Sequence, residues 1–329
     1  MADNSFKAPQ PFPLQQHERS WKQSLRSYEP IEYTSSDVLD EWGERKHGGW
    51  ADPPDPESIV FEHSSRLTFN PDANSYEPVE ISGVSVDDAS DRLIGRPINH
   101  YQRTGFQGRG KLGKWGVNRT SYLLFFRVDA VGNKQVLLRL SLRKNEFMLP
   151  GGFLLDSENS LKAAKRCFLD ACASSDMETI DPDSYQRELD EVKVWLDDIV
   201  AGVDEDDVVS RGYLEDAKNT DNAWIEGTVF MVDLPTRAWS TTDPIDALET
   251  SKLAWVDYDE IAEGSCAISL NESHRDIIMK ADAEQTEEEY WGVIGFAVLI
   301  WIVLVIAMNS NLKPGAVNVP PAIIFDLDH

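Results

Sequence analysis

Two apolar segments, Tyr122-Leu-Leu-Phe-Phe-Arg-Val and Gln135-Val-Leu-Leu-Arg-Leu-Ser-Leu, flank Gly132-Asn133, and Leu149-Pro-Gly-Gly and a helix-periodic stretch follow closely. Apolar runs on either side of a Gly-Asn turn are hairpin chemistry, so the spacing predicts two adjacent strands. Leu161, Ala164, Phe168 and Ala171 or Cys172 then share one helical face, which predicts a helix from about 160 to 172. Further strands are expected near Val208, Ala223 and Lys252, with helices over roughly 182–199 and 273–281. Such a mixture without strict βαβ alternation predicts an α/β (α+β) fold: a mixed sheet with helices on its faces.

The chain has 329 residues, room for about two domains. Residues 1–30 carry Pro9, Pro11, Pro13 and Pro30 and read as a flexible lead-in. Residues 31–120 read as a smaller, irregular α+β domain and 121–281 as the main domain. Acids number 57 against 31 bases, a net charge of −26, which repels a phosphate backbone and argues against nucleic-acid binding. Cys167, Cys172 and Cys266 are too irregularly spaced for a zinc site or a disulfide framework and suit a reducing compartment.

Residues 282–289 hold five acids and no base, the composition of a solvated linker. Beyond them, 290–308 reads YWGVIGFAVLIWIVLVIAM without a charge. At about 1.5 Å per residue this run reaches about 28 Å, close to the hydrocarbon thickness of a bilayer. A single transmembrane helix is expected there, followed by a short tail, 309–329. With no export signal in front, the expectation is a tail anchor with the large domain in the cytosol and the target membrane open.

Between Leu93 and Val128 lie seven basic residues, Arg96, Arg103, Arg109, Lys111, Lys114, Arg119 and Arg127, and no acid. Gly108-Arg-Gly110-Lys-Leu-Gly113 spells a dinucleotide fingerprint by its letters, but no clear strand precedes it and Trp115-Gly116 interrupts any helix after it. Two readings stay open for this segment: a phosphate-facing loop, or a basic loop held against the acidic remainder. The second candidate is Gly151-Gly152 followed by Glu158 and Arg166, with spacings of Gly-x5-Glu-x7-Arg.

This spacing resembles the first half of the Nudix box, in which glutamates at i, i+3 and i+4 of a helix gather magnesium around a pyrophosphate. Tyr28-Glu-Pro-Ile-Glu-Tyr-Thr, Trp50-Ala-Asp-Pro, Gly95-Arg-Pro, the segment Arg103 to Gly116, Leu149-Pro-Gly-Gly and Lys218-Asn-Thr-Asp-Asn-Ala-Trp extend the likeness. They resemble the mitochondrial-type ADP-ribose pyrophosphatases of the Nudix superfamily, and equally the ADP-ribose-sensing C-terminal domain of melastatin-type cation channels. The resemblance implies a Nudix α/β/α sandwich preceded by a cleft-forming N-terminal domain. It also implies ADP-ribose or a related nucleotide sugar as ligand, and hydrolysis to AMP and ribose 5-phosphate in active members.

Residue by residue, it implies catalytic roles for Glu158, Arg166 and Asp170, with Glu226 as a further carboxylate, and metal ligation by Glu158 and Asp170. Substrate binding would fall to Arg96, Arg103, Gly108, Arg109, Gly110, Gly151, Gly152, Asp216, Lys218, Asn222, Trp224 and Ser273. The box is degenerate: its three glutamate positions hold Cys167, Asp170 and Ala171. A thiol is a poor magnesium ligand and alanine offers no oxygen, so magnesium is expected to be weakly held or absent and hydrolysis slow. The alternative is a catalytically inactive ADP-ribose-binding module tethered to a membrane, or a Nudix domain serving only as a scaffold.

Overall fold

A computed structural model describes residues 9–39, 50–56, 68–70, 75–77, 85–87, 92–141, 145–155, 158–172, 182–234, 252–267, 269–286, 298–300 and 302. The chain divides into two units, 1–279 and 280–329.

The expected hairpin forms the centre of the first unit. β7 (Gly116–Val128) turns back into β8 (Lys134–Ser141), with Phe126 opposite Val136 and Val128 opposite Lys134. The Asp129 carboxylate accepts the amides of Val131 and Asn133 and so closes the turn. Along its other edge β7 pairs in parallel with β12 (Ala223–Asp233) from Ala223↔Gly116 to Asp233↔Phe126. Antiparallel β11 (Val208–Leu214) flanks β12. β9 (Glu146–Met148) pairs with β8, β10 (Gly151–Phe153) with the first half of β7, β13 (Leu253–Asp257) with β8, and β14 (Ser269–Leu270) with β9. The result is a mixed sheet, as the irregular alternation predicted.

Alternation along β7 sends Leu123 and Phe125 to one face and Tyr122 and Leu124 to the other. Onto the first face pack α2 (Ser160–Cys172), following the short α1 (Ser36–Leu39), and α3 (Pro182–Ile199). Ala164, Phe168 and Ala171 of α2 and Val192 and Leu196 of α3 close a core with Leu123, Phe125, Phe230 and Val232. Phe168 sits 5.5 Å from Phe125 and 6.3 Å from Trp195, ring centre to ring centre. Burying such a ring contributes about 2–3 kcal/mol. The Asn159 carboxamide accepts the Lys162 amide, 2.8 Å, and caps α2. On the second face a helix over 272–286, α5, brings His274 edge-on to Tyr122 at 4.6 Å. The sheet thus lies between helices. The short α4 (Tyr258–Glu263) ends at Gly264 in the left-handed region (φ 69°), and its last carbonyls accept from Arg275.

Ahead of the sheet, β6 (Phe106–Gly110) pairs in parallel with β1 (Ile31–Thr34). β2 (Thr68–Asn70) with β3 (Ser75–Glu77), and β4 (Ser85–Asp87) with β5 (Arg92–Ile94), make two small hairpins. The glycine-rich segment read as a loop is therefore partly a strand. Sequence periodicity misses it because three of its flanking and internal positions are glycines with positive φ: Gly105, Gly108 and Gly110. β7 also crosses the domain boundary expected at residue 120.

In the second unit, α5 continues to residue 286, through most of the stretch read as a linker. Residues 298–300 and 302 are helical, with Val298, Leu299, Ile300 and Ile302 between 44% and 58% exposed. The rest of the expected transmembrane run lies outside the described residues. Among the described residues no helix is long and apolar enough to cross a membrane.

Candidate functional site

The retained Glu158 and Arg166 lie together at α2, with Asp170 of a glutamate position beside them. The Glu158 carboxylate accepts Arg166 Nε at 3.0 Å on one oxygen and Arg166 Nη2 at 2.9 Å on the other, and the Leu155 amide at 3.0 Å. Arg166 also donates to the Phe153 carbonyl, 2.8 Å, and reaches Asp170 at 3.5 Å. The bonds from Arg166 hold Glu158 below the ordinary carboxylate range, and Glu158 in turn holds the guanidinium more firmly protonated. This bidentate pair staples the loop ahead of α2 to the helix.

Magnesium, the ion the resemblance implies, does not fit this donor set. Both Glu158 oxygens are already engaged. Cys167, at the first glutamate position, is a buried thiol whose pKa burial pushes up, so it does not present a thiolate. Ala171 is fully buried and carries no oxygen. Asp170 is the remaining carboxylate of the box, and its side chain is 66% exposed beside Arg166. Glu226 is fully buried and accepts from Trp224 Nε1 at 3.1 Å and from the Tyr101 hydroxyl at 3.3 Å. Among the described residues, no group of three or more His, Cys, Asp or Glu side chains is placed to hold a metal ion.

The basic segment turns inward. Arg103 is buried, stacks on Trp21 and Tyr28, and donates to the carbonyls of Glu18, Ser20 and Gln23 at 2.6–2.8 Å. Arg109 is fully buried and donates to the Asp52 and Gly113 carbonyls. Both guanidiniums are thus turned onto main-chain carbonyls that irregular backbone leaves over. Gly108 and Gly110 are likewise internal. A Cβ on Gly108 would lie 2.7 Å from the Tyr33 carbonyl, and one on Gly110 2.8 Å from Thr220. Arg96 stays exposed, paired with Glu32 at 2.7 Å over the Trp115 ring.

The 215–224 segment has two characters. From Asn219 on it is internal: Thr220 Oγ1 donates to the Gly108 carbonyl, Asn222 accepts the Gly108 amide and donates to the Pro97 carbonyl, and Trp224 is buried over Glu226. Asn222 and Trp224 are thus buried as well. Asp221 accepts from the Tyr28 hydroxyl at 2.5 Å and from Thr104, and its burial raises its pKa. Before Asn219 lies a tighter, more accessible turn in which Asp216 accepts the Lys218 amide at 2.8 Å and meets its ammonium at 3.4 Å. Lys218 Nζ stands 5.9 Å from the exposed Phe153 ring of β10, so turn and box share one edge. Asp216 also acts on Tyr122, which burial above all pushes up to about 12.

Under that edge lie Gly151 and Gly152: a Cβ on Gly151 would strike the Ser121 carbonyl at 2.2 Å, and one on Gly152 would meet Cys167 Sγ at 3.0 Å. Ser273 Oγ donates to the Glu215 carbonyl at 2.5 Å, and His274 Nδ1 accepts the Leu149 amide. Sequence reading passed over Phe153, Tyr101 and Tyr28; the only signal for Tyr28 was its place in a quoted motif.

A mixed sheet between helices, with a box-like glycine–helix edge behind an irregular N-terminal segment, resembles the Nudix type. The resemblance is to the NUDT9 type in particular. Residues 14–116 match the family model described as "NUDT9-like, N-terminal domain". The chain is 28% identical over 306 residues to the mitochondrial ADP-ribose pyrophosphatase of Rattus norvegicus, spanning 84% of this chain and 78% of that protein. It is 28% identical to a putative nudix hydrolase 6 of Caenorhabditis elegans, over 64% of this chain and 68% of that one. A transient receptor potential channel subfamily M member-like 2 of Nematostella vectensis matches at 25% identity over 65% of this chain but 13% of its own length. Among solved structures, the NUDIX domain of Shewanella oneidensis NrtR complexed with ADP ribose overlays 52% of this chain and 89% of its own, at 13% identity and a TM-score of 0.31.

Proposed function

We propose that this chain binds ADP-ribose or a related nucleotide sugar at the edge formed by Gly152, Phe153 and the Asp216–Lys218 turn, and hydrolyses it slowly or not at all. The ligand class follows from the similarity to the rat ADP-ribose pyrophosphatase over most of both chains. The choice of binding over turnover rests on one observation: both Glu158 oxygens are engaged by Arg166 while Cys167 and Ala171 supply no oxygen. Losing on the order of 4 kcal/mol of transition-state stabilisation lowers a rate about a thousandfold.

In this reading Lys218 meets a phosphate as a point charge without the fork of an arginine. Asp216 accepts a ribose hydroxyl, Ser273 sits beside the turn, and Arg96 offers an exposed cation. Residues 290–308 tether the protein to a membrane with 1–279 in the cytosol, a reading supported by the uncharged length of that run.

Calorimetry with ADP-ribose in excess chelator is expected to show binding. No heat at millimolar nucleotide would end this reading. Magnesium-dependent AMP release at the rate of an efficient hydrolase would replace it with that of an enzyme. Protease treatment of intact membranes is expected to digest the large domain, and its protection would invert the topology.

A further inference from the structure

Residues 9–30 make one 3-10 turn, Gln16–Glu18, and otherwise run as an irregular strap across the rest of the unit. What holds the strap is specific. Arg103 takes three of its carbonyls, Phe12 donates to the Gly105 carbonyl, and Trp21 Nε1 donates to the Asn99 carbonyl at 2.6 Å. Asn99 in turn donates its amide to the Asp221 carbonyl and its side chain to the Thr220 carbonyl.

The strap then reaches the 215–222 loop at two points on opposite sides of the Asp216–Lys218 turn. On one side Arg19 Nη1 lies 2.5 Å from Glu215 Oε1, while the Glu215 carbonyl accepts from Ser273. On the other the Tyr28 hydroxyl accepts the Gly105 amide at 3.0 Å and donates to Asp221 Oδ2 at 2.5 Å. We propose that Tyr28 and Arg19 are positioning residues for the nucleotide-sugar site: by gripping both ends of this loop, the strap sets the geometry of Asp216 and Lys218 and hence the affinity. This rests on the reading that these two residues meet the ligand.

The two grips are unequal. Arg19 and Glu215 are 37% and 59% exposed, so water and salt screen their pair. The bond from Tyr28 to Asp221 is sheltered and charge-assisted, and carries the larger share. Arg103 contacts no ligand in this scheme and acts only by holding the strap.

The test uses the full chain and amide hydrogen exchange, first without nucleotide. Tyr28→Phe keeps the ring over Arg103 and removes only the hydroxyl. It is expected to speed exchange of the amides of 217–220 at least tenfold and to weaken ADP-ribose about tenfold by calorimetry, leaving the amides of Leu123 and Val229 unchanged. Arg19→Gln, a surface change that leaves the fold intact, is expected to act the same way but less, and Arg19→Lys to recover most of the loss. Unchanged exchange at 217–220 in both Tyr28→Phe and Arg19→Gln overturns the proposal. A parent chain that gives no heat with ADP-ribose removes the ligand reading instead, and the exchange rates, measured without ligand, still decide whether the strap orders the turn.

Discussion

At the scale of single residues, the telling exchange is between carboxylates that hold metal and carboxylates that hold arginine. Glu158 has 5% of its side chain exposed and accepts two guanidinium hydrogens and one amide hydrogen. Glu158→Gln keeps the shape and removes the charge, and is expected to cost about 2 kcal/mol in urea unfolding, the scale of a hydrogen bond to a charged group. The pH dependence has a definite sign. Because the folded carboxyl is held below its ordinary value, its contribution is complete above the unfolded value of about 4.3 and is lost as pH falls through the folded one. The gap between parent and Glu158→Gln should therefore close in acid, and a gap constant from pH 7 to pH 3 would refute the assignment. Cys167, one residue from Arg166, works by filling space: its thiol lies where a side chain on Gly152 would have to go.

At the scale of elements, the same contact separates two neighbouring glycines. On β10 a methyl at 151 meets the backbone oxygen of Ser121, which is fixed by strand pairing, whereas a methyl at 152 meets the sulfur at the end of a side chain. Neither glycine has a positive φ, so the difference is purely of space. Gly151→Ala is expected to cost about 3 kcal/mol or more, and Gly152→Ala about 1 kcal/mol or less. Equal melting temperatures for the two variants would refute this.

Elements of this kind were largely legible in the sequence, since the hairpin, α2 and α3 each carry a period or a turn signal that needs only local residues. β6 was not legible, because its glycines have low strand preference and positive φ, and the strand shows only in its pairing with β1, more than seventy residues earlier. The roles of Arg103 and Arg109 were hidden for a related reason. A cluster of bases does not say which carbonyls the fold leaves for it to bind, and those lie near residues 18–23 and 52. The Asn-Thr-Asp-Asn run was half legible: its turn chemistry showed, but its partners in β6 and the strap did not.

At the scale of the whole molecule, the chain carries a net charge of −26, and one of its 31 bases, Arg103, is used inside. A chain this acidic gains little from another surface carboxylate pair, but a buried guanidinium with several carbonyl partners can fasten segments distant in sequence without bringing in a further negative charge. Arg103 is that fastener, 6% exposed and holding residues 18–23 from eighty or more positions away. Replacing it with alanine leaves carbonyls of the strap without their partner, each costing about 1–3 kcal/mol. Arg103→Ala is therefore expected to lose at least about 3 kcal/mol in urea unfolding, a large share of the roughly 5–15 kcal/mol that holds a domain. Trypsin should also cut after Arg19, Lys22 or Arg26 much sooner than in the parent. Lysine at 103 keeps the charge but has no planar fork with which to span three diverging oxygens, so it should recover less than half of the loss. If Arg103→Lys matched the parent in both urea midpoint and cleavage time, the strap would be held by charge alone, and the carbonyl geometry would not be what ties residues 9–30 to the sheet.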